Sequence, residues 1–201
     1  MPARRKKTDA LLQLAAKGPL RARDLAKARI PRAYLARLSE RGVLEKVDRG
    51  LYRLIDAPLT ELHSVAEVAK RLPSATVCLL TALSIHGLTT ELPHRIWIFI
   101  DRHARMPKFA YPSLEVVRAS GDALHHGVEI RQVEGVSVRL TTAAKTVADC
   151  FRFRRRVGLD VALAALRDYR RQRRGTVDAL VEAAQKDRIF SVLRPYLEAL
   201  A

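Results

Sequence analysis

Cysteine is scarce in this sequence: its 201 residues include two, Cys78 and Cys150. Each stands among apolar residues. A disulfide between them is open in principle, but buried free thiols in a cytosolic protein fit better. The pair also offers too few closely spaced ligands for a metal centre, so neither a metal nor another cofactor is expected. Long apolar runs are missing, and nothing nears the ~20 residues that cross a bilayer. Met1-Pro2-Ala3, followed by Arg4-Arg5-Lys6-Lys7 and a mixed segment, does not read as a signal peptide. Internal repeats, heptad seams, glycine-rich phosphate loops and nucleophile–base pairs are also lacking, which sets enzymatic readings aside.

Acidic residues are in deficit. The chain has 37 Lys and Arg against 21 Asp and Glu, a formal charge of +16. The excess sits at the two ends: residues 1–58 carry 15 basic and 6 acidic side chains, 59–151 carry 10 and 9, and 152–201 carry 12 and 6. Such a surface draws polyanions by counterion release, whatever their sequence. Without a membrane span, nucleic acid is the expected polyanion.

What is present begins with a winged helix-turn-helix over residues 1–58. Leu11, Leu12, Leu14 and Ala15 mark a helix from about Lys7 to Lys17, stopped by Gly18-Pro19. A short helix follows from Ala22 to Ala28, with Leu25 inward. After a turn at Arg29-Ile30, Pro31 suits the first position of a third helix, because that position has no use for an N–H. This helix runs to about Arg41, and Gly42 is placed to cap it in the left-handed conformation. Strands Val43–Val47 and Leu51–Leu54 are joined by Asp48-Arg49-Gly50, whose glycine can supply the positive φ of a tight hairpin.

The third helix is the one expected to read DNA. Leu35 and Leu38 define its inner side; Ala33, Arg37 and Glu40 point the other way, with Arg32 and Tyr34 on the flanks. Small Ala33 permits close approach to base edges, and Arg37 can meet a guanine bidentately. Arg32 suits a phosphate or a base at the groove edge. Arg49 at the wing tip either enters the minor groove or grips the backbone. Arg21, Arg23, Arg41 and Lys46 complete the expected DNA-binding set.

A break at Asp56-Ala57-Pro58 separates this segment from residues 59–201, whose pattern is α+β. Leu62 to Ala69 is helical, and Thr81 reads as the N-cap of a helix ending at Gly87. Ile96–Ile100, apolar on both faces, suits a strand buried between layers. Leu114–Arg118, Val128–Val133 and Val136–Leu140 are further strands, with Glu134-Gly135 as a turn. Helices are expected at about Thr142–Phe153, Leu159–Arg173, Val177–Gln185 and Val192–Leu200. On the third-last of these, Leu159, Ala162, Leu163, Leu166 and Tyr169 form the packed stripe. The fold class is thus α+β, a winged helix-turn-helix followed by a mixed domain that ends in a helical bundle.

The segment Leu80-Thr81-Ala82-Leu83-Ser84-Ile85-His86-Gly87-Leu88 resembles the start of the C-terminal region of AbiEi-type antitoxins of type IV toxin–antitoxin systems. The strand with Trp97 and the following Asp101-Arg102 continue the likeness. So do Lys145-Thr146-Val147-Ala148-Asp149-Cys150-Phe151, Gly158 to Leu163, and Pro195 to Leu200. With the winged helix in front, the resemblance covers essentially the whole chain. It implies an N-terminal domain, 1–58, that binds inverted repeats in double-stranded DNA and represses its own operon. It also implies a C-terminal domain, 59–201, that supplies most of the protection against a neighbouring nucleotidyltransferase toxin, without a stable complex with that toxin. A cytoplasmic monomer that binds DNA cooperatively is what the family suggests.

Arg154-Arg155-Arg156 is more basic than the family leads one to expect. With Arg167, Arg171 and Arg174 it forms either a solvated face or a second basic surface for nucleic acid. Lys145 and Asp149 stand four apart in the weaker order, so a tertiary role for each is as good a reading as a helical ion pair. His86 reads as a core or capping histidine. His125-His126 reads as a loop pair whose rings point apart. Asp101, Glu115 and Glu129 are scattered acids without a nuclease pattern. The alternative to a repressor-antitoxin is an interaction protein that neutralises an enzyme by direct binding, its winged helix serving only as a non-specific DNA anchor.

Overall fold

The computed structural model describes residues 2–56, 60–108 and 111–200, with side chains from residue 6 onward in the first helix. The chain forms two compact units. One comprises residues 1–72 with 132–138; the other comprises 73–131 with 139–201. The break expected at Asp56-Ala57-Pro58 lies largely outside the described residues.

In the first unit, α1 (Pro2–Ala16), α2 (Ala22–Lys27) and α3 (Ala33–Glu40) precede the strands β2 (Leu44–Asp48) and β3 (Leu51–Leu54). A two-residue strand, β1 (Leu20–Arg21), adds to the wing, giving a three-stranded antiparallel sheet of order β1-β3-β2. Its core is built from Leu11, Ala15, Leu20, Leu25, Ile30, Leu35, Leu38 and Leu44. Burying these leucines is the main stabilising term, at roughly 1.5–3 kcal/mol for each full side chain. Gly42 takes φ 67 after α3, and the Val43 N–H donates back to Leu38 O at 2.9 Å, the helix stop expected of it. Pro31 does not open α3. Its carbonyl instead accepts from Tyr34 N at 3.1 Å in a tight turn, and the regular helix starts at Ala33.

The first unit extends beyond residue 58. It includes α4 (His63–Arg71) and the hairpin tip 132–138. Glu134 holds these parts together, accepting from Thr60 N at 3.0 Å, from Thr60 Oγ1 at 2.7 Å and from His63 Nδ1 at 2.7 Å. Backbones also meet closely here: a Cβ on Gly18 (φ 140) would fall 1.7 Å from Glu134 O.

The five-stranded sheet, most of whose residues lie in the second unit, has the order β6-β5-β4-β8-β7. Its strands are β4 (Thr76–Val77), β5 (Ile96–Asp101), β6 (Leu114–Ala119), β7 (Val128–Val133) and β8 (Val136–Thr141). β5 runs parallel to β6 and antiparallel to β4, which pairs in parallel with β8. The helices are α5 (Leu79–His86), α6 (Asp122–His125), α7 (Ala143–Arg152), α8 (Arg154–Val157), α9 (Leu159–Arg171), α10 (Val177–Lys186) and α11 (Phe190–Ala199). Phe99, Val147, Phe151, Leu166 and Tyr169 are among the side chains that fill the core. No helix among the described residues is long and apolar enough to cross a membrane.

Three local expectations are corrected here. Thr81 lies inside α5, which begins at Leu79; its hydroxyl accepts from Trp97 N at 2.9 Å and so ties helix to strand. His125 is the last residue of the short helix α6. Leu159, expected in the packed stripe of α9, is 38% exposed at the open start of the helix, while Ala165 is buried on the packed face.

Candidate nucleic-acid interface

α3 follows Pro31 and is fixed by Leu35 and Leu38, 2% and 4% exposed, so its opposite face is set by the helical period. That face presents Arg32, Ala33, Ala36 and Glu40, all exposed. Tyr34 and Arg37 are half-buried on the flank, with the Arg37 guanidinium carbon 5.3 Å from the centroid of the Tyr34 ring. Arg37 therefore lies to one side of the face, held by a cation–π contact that limits its rotamers. Arg41 is exposed at the end of the helix.

In the wing, Lys46 and Arg49 are exposed. Arg49 occupies the tip, where its own N–H donates to Asp48 Oδ1 at 2.6 Å and Gly50 follows at φ 73. Arg23 is exposed on α2. Arg21 differs from the others. It is half-buried, its Nη2 donates to Arg71 O at 3.1 Å, and its N–H donates to Asp24 Oδ2 at 2.8 Å. Burial, with Arg23 nearby, lowers its pKa from the usual arginine value. Its geometry is that of a brace between α2 and α4.

Three acidic residues of this unit are drawn into internal pairs, while Glu40 stays exposed. Asp24 meets Lys70 at 2.7 Å, Glu45 meets Arg53 at 2.6 Å, and Asp48 meets Arg71 at 3.3 Å. Among the described residues no ion pair holds Arg23, Arg32, Arg37, Arg41, Lys46 or Arg49. Their charge is available to an external polyanion. Sequence reasoning missed Lys27, Arg29 and Ala36, which are exposed on or between the same helices. The signal for Arg29 is its place in the turn expected at Arg29-Ile30, where it takes φ 54, a conformation that glycine usually supplies.

The second basic set does not form one stripe. Arg154 donates to Phe151 O at 2.9 Å. Arg156 pairs with Glu115 and lies 5.6 Å from the Trp97 ring centroid. Arg155 and Arg167 are exposed, Arg171 meets Asp168 at 2.7 Å, and Arg174 donates to Gln172 Oε1 at 3.0 Å. Arg154 to Arg156 precede α9, whereas Arg171 ends it, about 18 Å along the axis at 1.5 Å per residue.

Lys145 makes both the helical pair with Asp149 and a tertiary contact. Its Nζ lies 3.1 Å from Asp149, 3.0 Å from Asp187 Oδ2 and 3.3 Å from His126 Nε2. Asp187 also accepts from Arg152 at 3.3 Å. Burial first, with Asp187 adding to it and Lys145 opposing it, pushes the Asp149 carboxyl up to about 8. His86 is a satisfied core histidine: its Nε2 lies 2.7 Å from Thr141 O, and burial lowers its pKa.

No curated protein matches the chain. Residues 9–55 match the family described as transcriptional regulator, AbiEi antitoxin, a family of regulators and not of enzymes. The matched segment is the winged helix-turn-helix whose unpaired cations face outward. Over that segment the chain is similar to the AbiEi antitoxin transcriptional regulators.

Proposed function

We propose that the chain represses its own operon through residues 1–58 and, through residues 59–201, counteracts a nucleotidyltransferase toxin encoded beside it in the cytoplasm. The observation that carries the reading is the set of six unpaired cations on α2, α3 and the wing, within the family-matched segment. α3 is the element that enters the major groove, with Arg37 at a base and Arg32, Arg41, Arg23, Lys46 and Arg49 at phosphates. Small Ala33 and Ala36 give the helix close approach. The DNA is an inverted repeat, bound cooperatively by monomers, and protection needs no stable complex with the toxin.

Two measurements test this reading. Footprinting on the DNA upstream of the gene should protect paired half-sites. Co-expression with the adjacent gene product should restore growth. Protection of random DNA to the same extent would leave only the anchoring function. Toxicity undiminished by the chain would remove the antitoxin function.

A further inference from the structure

The second unit contains a pocket of about 300 Å³ that the regulatory reading does not use, lined in part by Ser120, Asp122, Arg152, Lys186, Asp187 and Arg188. Its floor is the Asp187 side chain, which is 0% exposed and is met by Lys145 and Arg152 at 3.0 and 3.3 Å. Those nitrogens occupy the carboxylate, so the floor neither calls for a metal cation nor leaves a free negative charge. Arg152 uses one nitrogen on Asp187, and its side chain is 35% exposed, leaving guanidinium N–H groups for the cavity. Lys186 is paired at 2.8 Å with Glu182 on its own helix, but both are well exposed, so the pair is weak and exchangeable. Arg188 has no ion-pair partner among the described residues. Three cations therefore face one uncompensated carboxylate, Asp122.

We propose that this pocket binds a small phosphate-bearing anion, inorganic phosphate or a phosphate monoester, between Arg152, Lys186, Arg188 and the Ser120 hydroxyl. Guanidinium forks match the oxygen edges of phosphate, and Lys186 adds a mobile point charge. Asp187, itself locked by Lys145, orients Arg152 from behind. The volume lies at the lower limit for small-molecule sites, which suits a phosphate or one ester and not a nucleic-acid strand. The site is independent of the DNA interface on the first unit.

Calorimetric titration and phosphorus NMR on the full chain test the site, in about 0.3 M NaCl to screen diffuse charge. The probes are inorganic phosphate, a nucleoside 5′-monophosphate and sulfate. Saturable binding of one anion per chain is expected, weakened roughly tenfold or more by Arg188→Gln and by Lys186→Gln. Arg155→Gln, an exposed change on α8 outside the pocket, should leave it intact. Tighter binding of the monophosphate than of phosphate assigns an ester as ligand, and the reverse order assigns the free anion. Non-saturable uptake, equal weakening by all three variants, or no loss in Arg188→Gln would overturn the site. Circular dichroism confirms that each variant is folded, which these exposed positions favour.

Discussion

Replacing the two buried aspartates around Lys145 by asparagine, one at a time, should have very different consequences. Lys145 is 1% exposed and has carboxyl groups at 3.1 Å (Asp149) and 3.0 Å (Asp187). Asp187 also receives Arg152 and stands 3.1 Å from His126 Nε2, the setting of a counter-ion. Asp149 has Lys145 as its one cation, with the Asp187 carboxyl beside it, and no donor reaches its Oδ2 among the described residues. With its carboxyl pushed up to about 8, mainly by burial, Asp149 keeps its proton at neutral pH. Asparagine then reproduces both its shape and its neutrality, so Asp149→Asn should cost no more than about 1 kcal/mol. Asp187→Asn removes the counter-ion of a buried lysine, a change worth about 3–5 kcal/mol. The lower end is expected, because Asp149 can ionise and take over the pair. The double variant has no such recourse and should lose about 1–2 kcal/mol beyond the sum of the single losses.

The pH dependence follows with a definite sign. The Asp149 carboxyl titrates near 3.8 when unperturbed and at about 8 in the native chain. Between those values the native state binds the extra proton, so stability from this group is complete below the lower value and is lost as pH rises toward the upper one. Urea unfolding followed by circular dichroism, at about pH 5 and again at about pH 7.5, reads both effects. Asp149→Asn should flatten the slope. Equal losses for the two single variants, or a slope that survives Asp149→Asn, would put the charge on Asp149 and refute the assignment.

On operator DNA, Arg37→Ala should cost about 1–3 kcal/mol and relax specificity at one base pair, whereas Arg49→Ala should weaken specific and non-specific binding alike; competition band shifts separate the two, and an unchanged base preference in Arg37→Ala would reject Arg37 as the reader. If about five phosphates are neutralised per monomer, log K should fall against log salt with a slope near −4 to −5, and a slope near zero would reject the interface. Glu134→Gln should loosen the tie to Thr60 and His63. Burial raises the Glu134 carboxyl, but the His63 and Thr60 hydrogen bonds outweigh it and hold the pKa below the usual 4.5. Its contribution is therefore present above that value and lost as pH falls through the lowered one, so the variant's deficit in acid titrations should shrink as the pH is taken down past the lowered pKa.

The sequence was legible where neighbouring residues decide the structure. Gly42 and Gly50 need positive φ, Leu35 and Leu38 repeat with the helix, and Ile96–Ile100 is apolar on both faces of a central strand; each lies where it was expected. Illegible features depend on distant residues. Lys145 meets Asp187 across 42 positions and His126 across 19. No local period signals either contact. Thr81 looked like a cap because hydroxyl residues favour helix starts, yet its partner is the Trp97 amide, 16 positions on. The two-residue strand β1 exists only because Leu20 and Arg21 pair with Tyr52 and Leu51.

The same distinction decides which charges can act on DNA. A count over residues 1–58 gives an excess of basic side chains but cannot say which are free. That depends on where Asp24, Glu45 and Asp48 find partners, and they find Lys70, Arg53 and Arg71. Two of those partners lie on α4, outside the segment counted. Three carboxylates near the outward face of α3 and the wing are thereby satisfied elsewhere, while Glu40 stays exposed on that face, and Arg21 is withdrawn by its bond to the Arg71 carbonyl. Helix α4 neutralises Asp24 and Asp48, and Arg53 of the wing neutralises Glu45, so less of the field of the α3 and wing cations is cancelled. An intact α4 is thus a condition for the electrostatics of the interface, although its side chains need touch no DNA.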